Sequence, residues 1–200
     1  MGVTALIMAG GRATRMRRRV EKPLLEISGR SMLGRVVDTL KHTQSIERII
    51  VASSSNTPAT AAEAKKLGVE NINTPGNGFE EDMRFAISQL SLGDVLVVSS
   101  DLPFLTVDII NRAVQKYRSS GKPALAVMAP TELYKKLRSK PGYVFKVNGR
   151  NLVPVGINIL DGARINEGAL EQSELIIDEE ELALNVNTPK DLEIARGKVR

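Results

Sequence analysis

The sequence contains no cysteine and no tryptophan, and His42 is its single histidine. Without cysteine, the chain can form no disulfide and offers no thiolate nucleophile, and one histidine alone cannot build a metal cluster. Aromatic residues make up only 4% of the chain, which argues against the base-stacking surfaces of proteins that bind nucleic acid. No apolar run is long enough to span a bilayer, so no membrane anchor is predicted. These absences favour a cytoplasmic protein that does not bind nucleic acid.

The composition is that of an ordinary globular protein, with 42% hydrophobic and 26% charged residues among 200. This length predicts one compact domain over residues 1–200. The formal net charge is +5, but the basic residues are concentrated in one segment. That segment contains Arg12, Arg15, Arg17, Arg18, Arg19 and Lys22. Because it directly follows an apolar run and a glycine pair, it indicates a small anionic ligand.

Apolar runs and helical patterns alternate along most of the chain. Strands are predicted at 4–8, 46–52, 69–73, 94–99 and 124–128, and helices at 31–40, 57–67, 79–90, 106–117 and from 188 onward. The Asn148-Gly149 pair predicts a hairpin between strands at 144–147 and 153–160. We therefore predict an α/β protein, with three Rossmann-like layers and a mostly parallel central sheet.

Three segments with ligand-binding chemistry follow predicted strands: Gly10-Gly11, residues 53–57 and residues 99–101. In parallel α/β sheets, ligands bind beyond the carboxyl ends of the strands, so these segments are expected to meet. Paired glycines followed by cations suit a triphosphate, because backbone amides can approach the phosphates without obstruction. Each segment alone could equally be turn or cap chemistry.

Lys22 and Asp101 are the candidate residues for chemistry. Lys22 could neutralise charge on an α-phosphate or on departing pyrophosphate, and its alternative interpretation is a solvent-exposed lysine. Asp101 is expected as an exposed carboxylate at a strand end, where it could hold Mg²⁺ or simply begin a turn. The kinase-type phosphate loop, the three-glycine dinucleotide motif and a Ser-His-Asp arrangement are all absent, and His42 is interpreted as a surface residue.

Four segments, ALIMAGGRATRM, EKPLLEISGR, VVSSDLPFL and NVNTPKDL, resemble the signature of the nucleoside-triphosphate transferase superfamily. This superfamily includes the molybdenum-cofactor guanylyltransferases and the sugar-phosphate nucleotidyltransferases. Within it, VASSSNTP, NTPGNGFEEDM, ALAVMAPTELY and NLVPVGINIL look most similar to the archaeal-type adenosylcobinamide-phosphate guanylyltransferases. The resemblance implies transfer of GMP from GTP to a phosphorylated corrinoid, adenosylcobinamide phosphate. The products would be adenosylcobinamide-GDP and pyrophosphate, in a step of cobalamin biosynthesis that uses Mg²⁺.

The resemblance also implies a set of site residues. Arg15, Lys22 and Asp101 would be catalytic, with Asp101 as the metal ligand. The residues that would bind GTP are Leu6, Ala9, Gly10, Gly11, Arg12, Thr14, Ser53, Ser54, Asn56, Thr74, Gly76 and Gly78, and those on the acceptor side are Gly156, Asn158, Asn185 and Asn187. Ala13 departs from the family pattern, which commonly has glycine there. The Arg17-Arg18-Arg19 run could bind the acceptor phosphate or only solvate the loop.

Three other interpretations stay open at this point. The acceptor could instead be the molybdenum cofactor or a sugar phosphate, because the loop motifs are shared across the superfamily. The chain could also bind GTP without turnover, although Lys22 and Asp101 would then have no use. A basic nucleic-acid-binding domain is the third alternative, and it would lose affinity steeply with salt. The sequence leaves the oligomeric state open, with a homodimer among the options.

Overall fold

The computed structural model of this chain describes residues 2–12, 16, 20–137 and 139–198. The strands are β1 (Val3–Met8), β2 (Glu26–Ile27), β3 (Arg30–Ser31), β4 (Ile46–Ser54), β5 (Glu70–Thr74), β6 (Asp94–Ser99), β7 (Ala124–Pro130), β8 (Phe145–Val147), β9 (Arg150–Asp161) and β10 (Gln172–Ile176). The α-helices are α1 (Met32–Lys41), α2 (Pro58–Lys66), α3 (Phe79–Gln89), α4 (Val107–Ser120), α5 (Thr131–Lys136), α6 (Glu180–Ala183) and α7 (Pro189–Lys198). Lys22–Leu24 and Gly162–Arg164 form short 3₁₀ helices.

The central sheet follows the order β10-β7-β9-β6-β1-β4-β5, and β8 pairs with β9 outside this path. The pairs β1–β4, β1–β6, β4–β5 and β7–β10 are parallel, so the prediction of a mostly parallel sheet is confirmed. The exception is β9, which is antiparallel to both β6 and β7. It enters the sheet through the predicted hairpin, whose turn residues Asn148 and Gly149 both have the positive φ of a tight two-residue connection.

The sheet is covered by helices on both faces. On one face, the larger hydrophobic cluster joins the strands to α1, α2, α4, α5, α6 and α7. On the other face, a smaller cluster joins Leu6, Met8 and Val97 to Ala86 and Ile87 of α3. This arrangement gives the three predicted layers. No helix in the described ranges combines the length and apolar character needed to cross a bilayer.

Several elements were not predicted from the sequence: the β2–β3 ladder, α5, β10 and α6. The helical spacing of Phe79, Ala86 and Ile87 in the predicted helix 79–90 predicts that Phe79 faces the core. That prediction is wrong, because Phe79 is 45% exposed. It is the first residue of α3 and lies on the wall of the main cleft.

Candidate active site

A cleft of about 720 Å³ opens at the carboxyl edge of the central sheet. The loop after β1, the loop before α3 and the loop after β6 converge here, as expected for parallel strands that end at one edge. The walls are formed by Met8, Ala9, Gly10, Gly11, Arg12, Lys22, Pro23, Gly76, Asn77, Gly78, Phe79, Asp82, Ser99, Ser100, Asp101 and Asn187. The cleft therefore brings together the glycine loop, Lys22 and Asp101 from segments far apart in sequence.

Lys22 is held by two oxygens inside this cleft. Its Nζ donates to Asp101 Oδ2 at 2.5 Å and to Asn187 Oδ1 at 2.8 Å. Asn187, which was predicted on the acceptor side, accepts this hydrogen bond through its amide oxygen and lines the same cleft. The Asn187 backbone is fixed in turn, because its N–H donates to Asp191 Oδ2 at the start of α7. The exposed-lysine interpretation of Lys22 is wrong, since this ammonium is paired and largely enclosed.

Asp101 is buried rather than exposed, with 7% of its surface accessible. The C-terminal segment covers it, and Val186 N donates to the Asp101 backbone oxygen at 3.1 Å. Its Oδ1 is buried and has no hydrogen-bond partner in the described part of the chain. The pKa of nearby Tyr134 is raised to about 12, first by burial and second by the charge of Asp101. Asp101 therefore presents one carboxylate oxygen to Lys22 and one that is free to accept a further contact.

The glycine loop is fixed against the end of β4. Ser54 Oγ donates to Gly10 O at 2.7 Å. A Cβ added at Gly10 would lie 3.2 Å from Ser54 Cβ and 3.3 Å from the Ser54 backbone nitrogen, so a side chain there would crowd the backbone. Gly11 and Arg12 are exposed at the cleft. Thr14 and Arg15, together with the arginine run 17–19, lie outside the described residues.

Most of the predicted GTP-binding residues at the end of β4 and β5 are buried. Ser53 and Ser54 are buried, and Thr74 Oγ1 donates to Ser53 O at 2.9 Å. Asn56 is the loop residue that approaches the cleft, because a Cβ at Gly76 would lie 2.9 Å from Asn56 Nδ2. Gly76 has a φ of +80°, a left-handed backbone conformation that favours glycine.

Asp82 was missed by the sequence interpretation. It is buried on α3, and its Oδ1 accepts hydrogen bonds from Gly76 N at 2.8 Å and Asn77 N at 3.3 Å. It thus fixes the loop that lines the cleft opposite Lys22. The sequence did contain a signal, because Asp82 falls three residues after Phe79 and four before Ala86, on the face predicted to be apolar.

Eight of the predicted site residues that the structure describes do not line the cleft, and they include Ser53, Ser54, Asn56 and Thr74 of the loop and strand described above. The others are Leu6, Gly156, Asn158 and Asn185. Leu6 is a correction: it is completely buried in the middle of β1, where it packs in the core against α3. Gly156, Asn158 and Asn185 lie beyond Ser99. A Cβ at Gly156 would be 3.1 Å from Ser99 Cβ, and Asn185 Nδ2 donates to Val155 O at 3.2 Å. Asn158 sits in β9, opposite Val97 and Ala126. Gly156 and Asn158 thus belong to the central sheet, whereas Asn185 lies in the segment between α6 and α7.

A glycine loop, a paired lysine and a carboxylate at the carboxyl edge of a three-layer sheet define this chain as a nucleotidyltransferase. The sequence matches the MobA-like NTP transferase domain family over residues 5–153. The chain belongs to this family.

Two relatives extend the match beyond that domain. The chain is 38% identical to an adenosylcobinamide-phosphate guanylyltransferase of Methanocaldococcus jannaschii, over 96% of this chain and 94% of the relative. It is 26% identical to a probable molybdenum cofactor guanylyltransferase of Thermococcus gammatolerans, over 93% of this chain and 95% of the relative.

Solved structures share the fold at low sequence identity. A CMP:2-keto-3-deoxy-manno-octonic acid synthetase complexed with CTP superposes with a TM-score of 0.74 at 15% identity, covering 99% of this chain and 98% of that one. A 4-diphosphocytidyl-2C-methyl-D-erythritol synthase from Anaerococcus prevotii gives a TM-score of 0.68 at 13% identity, covering 99% and 96%. The Rossmann-like fold predicted from the sequence is thereby confirmed.

Proposed function

We propose that this chain transfers GMP from GTP to adenosylcobinamide phosphate, giving adenosylcobinamide-GDP and pyrophosphate, in the cytoplasm. The observation that carries the proposal is the contact between Lys22 and Asp101 at 2.5 Å, in a cleft lined by the glycine loop. The acceptor is proposed from the near full-length similarity to the M. jannaschii guanylyltransferase.

The proposed reaction is a direct displacement at phosphorus. A phosphate oxygen of the acceptor forms a bond to the α-phosphorus of GTP, the bond from that phosphorus to the bridging oxygen breaks, and pyrophosphate leaves with the electron pair. The attacking phosphate is already an anion near neutral pH, so a protein base contributes little. Lys22 and Arg12 are the described cations on the cleft wall, and they would neutralise charge as it develops. Arg15, Gly11 and Thr14 are proposed as further phosphate contacts.

The cleft residues fit a divalent cation. The Lys22 ammonium already lies between Asp101 Oδ2 and Asn187 Oδ1, and Asp101 Oδ1 is buried without a partner among the described residues. Asp101 and Asn187 would therefore hold Mg²⁺, which prefers one or two protein oxygens together with phosphate oxygens and water. The described residues contain no group of three or more acidic, histidine or cysteine ligands, which agrees with that preference. Bound there, the ion would neutralise and orient the triphosphate.

Guanine recognition is proposed for the loop that carries Asn56. Its side-chain amide has both a donor and an acceptor, and it borders Gly76 at the cleft. Adenine would leave such groups unpaired, at a cost of about 1 to 3 kcal/mol each. GTP is therefore expected to bind at least about tenfold more tightly than ATP, and Asn56→Ala should reduce that ratio. Equal affinities of the wild type for the two nucleotides would remove the guanine assignment.

The experiment that tests the acceptor measures pyrophosphate release from GTP with one acceptor at a time: adenosylcobinamide phosphate, molybdenum cofactor or a sugar 1-phosphate. We expect turnover with the corrinoid that exceeds the others by orders of magnitude. Faster turnover with another acceptor would replace the corrinoid assignment and keep the enzyme class. GTP binding without pyrophosphate release with any acceptor would favour a binding module.

A further inference from the structure

Glu21, the residue before Lys22, binds the beginning of a helix that is distant in sequence. Its carboxylate accepts hydrogen bonds from Ala59 N at 2.8 Å, Thr60 N at 2.7 Å and Thr60 Oγ1 at 2.6 Å. All three donors belong to the first turn of α2. No motif assigned above gives Glu21 a role.

The helix needs this partner because its own cap residue is occupied elsewhere. Thr57 precedes α2, yet its side chain makes no cap hydrogen bond to the helix. Thr57 Oγ1 instead accepts from Ser54 N at 3.1 Å, inside the loop that follows β4. The first N–H groups of a helix have no partner within the helix and favour a negative charge. Glu21 provides both the acceptor and the charge.

Two separate sets of hydrogen bonds hold Gly10, which precedes the basic segment, and Glu21, which lies at its end. At the beginning, Gly10 O accepts from Ser54 Oγ at 2.7 Å. At the end, Glu21 binds Ala59 and Thr60. Both anchors belong to the continuous segment formed by the end of β4 and the start of α2. Gly10 and Glu21 are therefore both held by this one segment, and Lys22 directly follows Glu21.

We infer that Glu21 is a positioning residue that clamps the end of the basic segment to α2 and thereby holds the Lys22 ammonium at the reacting phosphates, an inference that rests on the proposed function. Misplacing a catalytic group by about 1 Å can cost about 100-fold in rate. Glu21→Ala is therefore expected to lower kcat by about tenfold to 100-fold. GTP affinity should change by less than about threefold, because the contacts described for Gly10, Asn56 and Gly76 do not involve Glu21.

The test is a double-mutant cycle of Glu21→Ala and Lys22→Ala, with pyrophosphate release as the measurement. If Glu21 acts through Lys22, its replacement has no further effect on kcat once Lys22 is alanine. Glu21→Gln keeps an acceptor oxygen and should recover kcat to within about fivefold of wild type. Independent, multiplicative effects of the two alanine variants, or a Gln variant as slow as the Ala variant, would overturn the inference.

Ser31→Ala is the matched control for a purely structural cap. Ser31 Oγ accepts from Gly34 N at 3.0 Å and caps α1, and it does not line the cleft. Its loss should lower the melting temperature, as we also expect for the loss of Glu21, and leave kcat unchanged. If kcat for Glu21→Ala were within twofold of that for Ser31→Ala, Glu21 would only cap α2 and the positioning role would be overturned.

A second measurement does not depend on turnover. The rate at which Lys22 reacts with an amine-selective reagent, followed by mass spectrometry, should rise several-fold in Glu21→Ala and stay at the wild-type value in Ser31→Ala. If wild type releases no pyrophosphate, the proposed function fails while these labelling rates still decide the role of Glu21. Equal Lys22 labelling in wild type and Glu21→Ala would overturn that role.

Discussion

Asp101→Asn changes one atom at the contact between Lys22 and Asp101. The two side chains are only 16% and 10% exposed, and removing one partner of a buried pair can cost about 3 to 5 kcal/mol. Asparagine keeps an acceptor oxygen for Lys22, so only the difference between a charged and a neutral hydrogen bond is lost, about 1 to 2 kcal/mol. For a chain of this length, that corresponds to a fall of roughly 2 to 8 °C in melting temperature.

The catalytic effect of Asp101→Asn should be much larger than this loss of stability. The variant removes the negative charge of Asp101, which faces Lys22 and the proposed metal, and we expect turnover to fall by about 100-fold or more. Pyrophosphate release is measured across a magnesium series, with the melting temperature measured in the same buffers. Asp38→Asn, which disrupts an ion pair with Arg30 at an exposed position, is the control and should retain activity. A lower melting temperature with wild-type rates at every magnesium concentration would refute the reasoning.

Three further variants test separate parts of the site. Lys22→Ala should lower kcat by about 100-fold and leave the calorimetric Kd for GTP within about threefold, because its contact strengthens in the transition state; a weaker Kd with normal kcat would contradict this role. Asp82→Ala frees the loop at Gly76 and should weaken GTP binding by about tenfold, whereas Glu80→Ala, at an exposed position two residues earlier on α3, should not. Tyr134→Phe tests the raised pKa of about 12 against its ordinary value of 10.0. Between these pH values the unfolded chain loses the phenolic proton and the folded chain keeps it. As the pH rises, the free energy of unfolding of the wild type should therefore fall more steeply than that of the variant, by up to about 1.4 kcal/mol per pH unit. Parallel curves of unfolding free energy against pH would contradict the raised pKa.

The sequence predicted the fold best where the local pattern was strong. β6 (Asp94–Ser99) has the predicted bounds, because a continuous apolar run is typical of a central strand. β10 was missed, since Gln172–Ile176 is short and its polar residues give no clear alternation. It is a strand because it pairs with β7 at the edge of the sheet. The insertion of β9 between β6 and β7 likewise depends on pairing partners, which local periodicity does not specify.

The difference between local sequence patterns and contacts distant in sequence also explains which site residues could be predicted. Gly10 and Asp101 follow strands that the pattern identifies, so the rule for parallel sheets was enough to bring their loops together. Glu21 and Asp82 act through backbone N–H groups whose positions depend on the folded loops. On the sequence alone Glu21 looks like a surface charge, and the place of Asp82 on the apolar face of α3 does not identify its partners. The burial of Asp101 could not be predicted either, because the segment around Val186, which is distant in sequence, packs over it.

The C-terminal segment that packs over Asp101 also affects how the site forms. Lys22 lies near the start of the sequence, Asp101 in the middle and Asn187 near the end. The Lys22 ammonium nevertheless donates hydrogen bonds to a side-chain oxygen of both Asp101 and Asn187. Contacts of such high sequence separation form only after much of the chain has been ordered. The charge of the lysine is therefore directed into the cleft only when β6 and the C-terminal segment are both in place. Loosening the docking of α7 should then reduce turnover before it unfolds the sheet, because the Asn187 backbone depends on Asp191 of that helix.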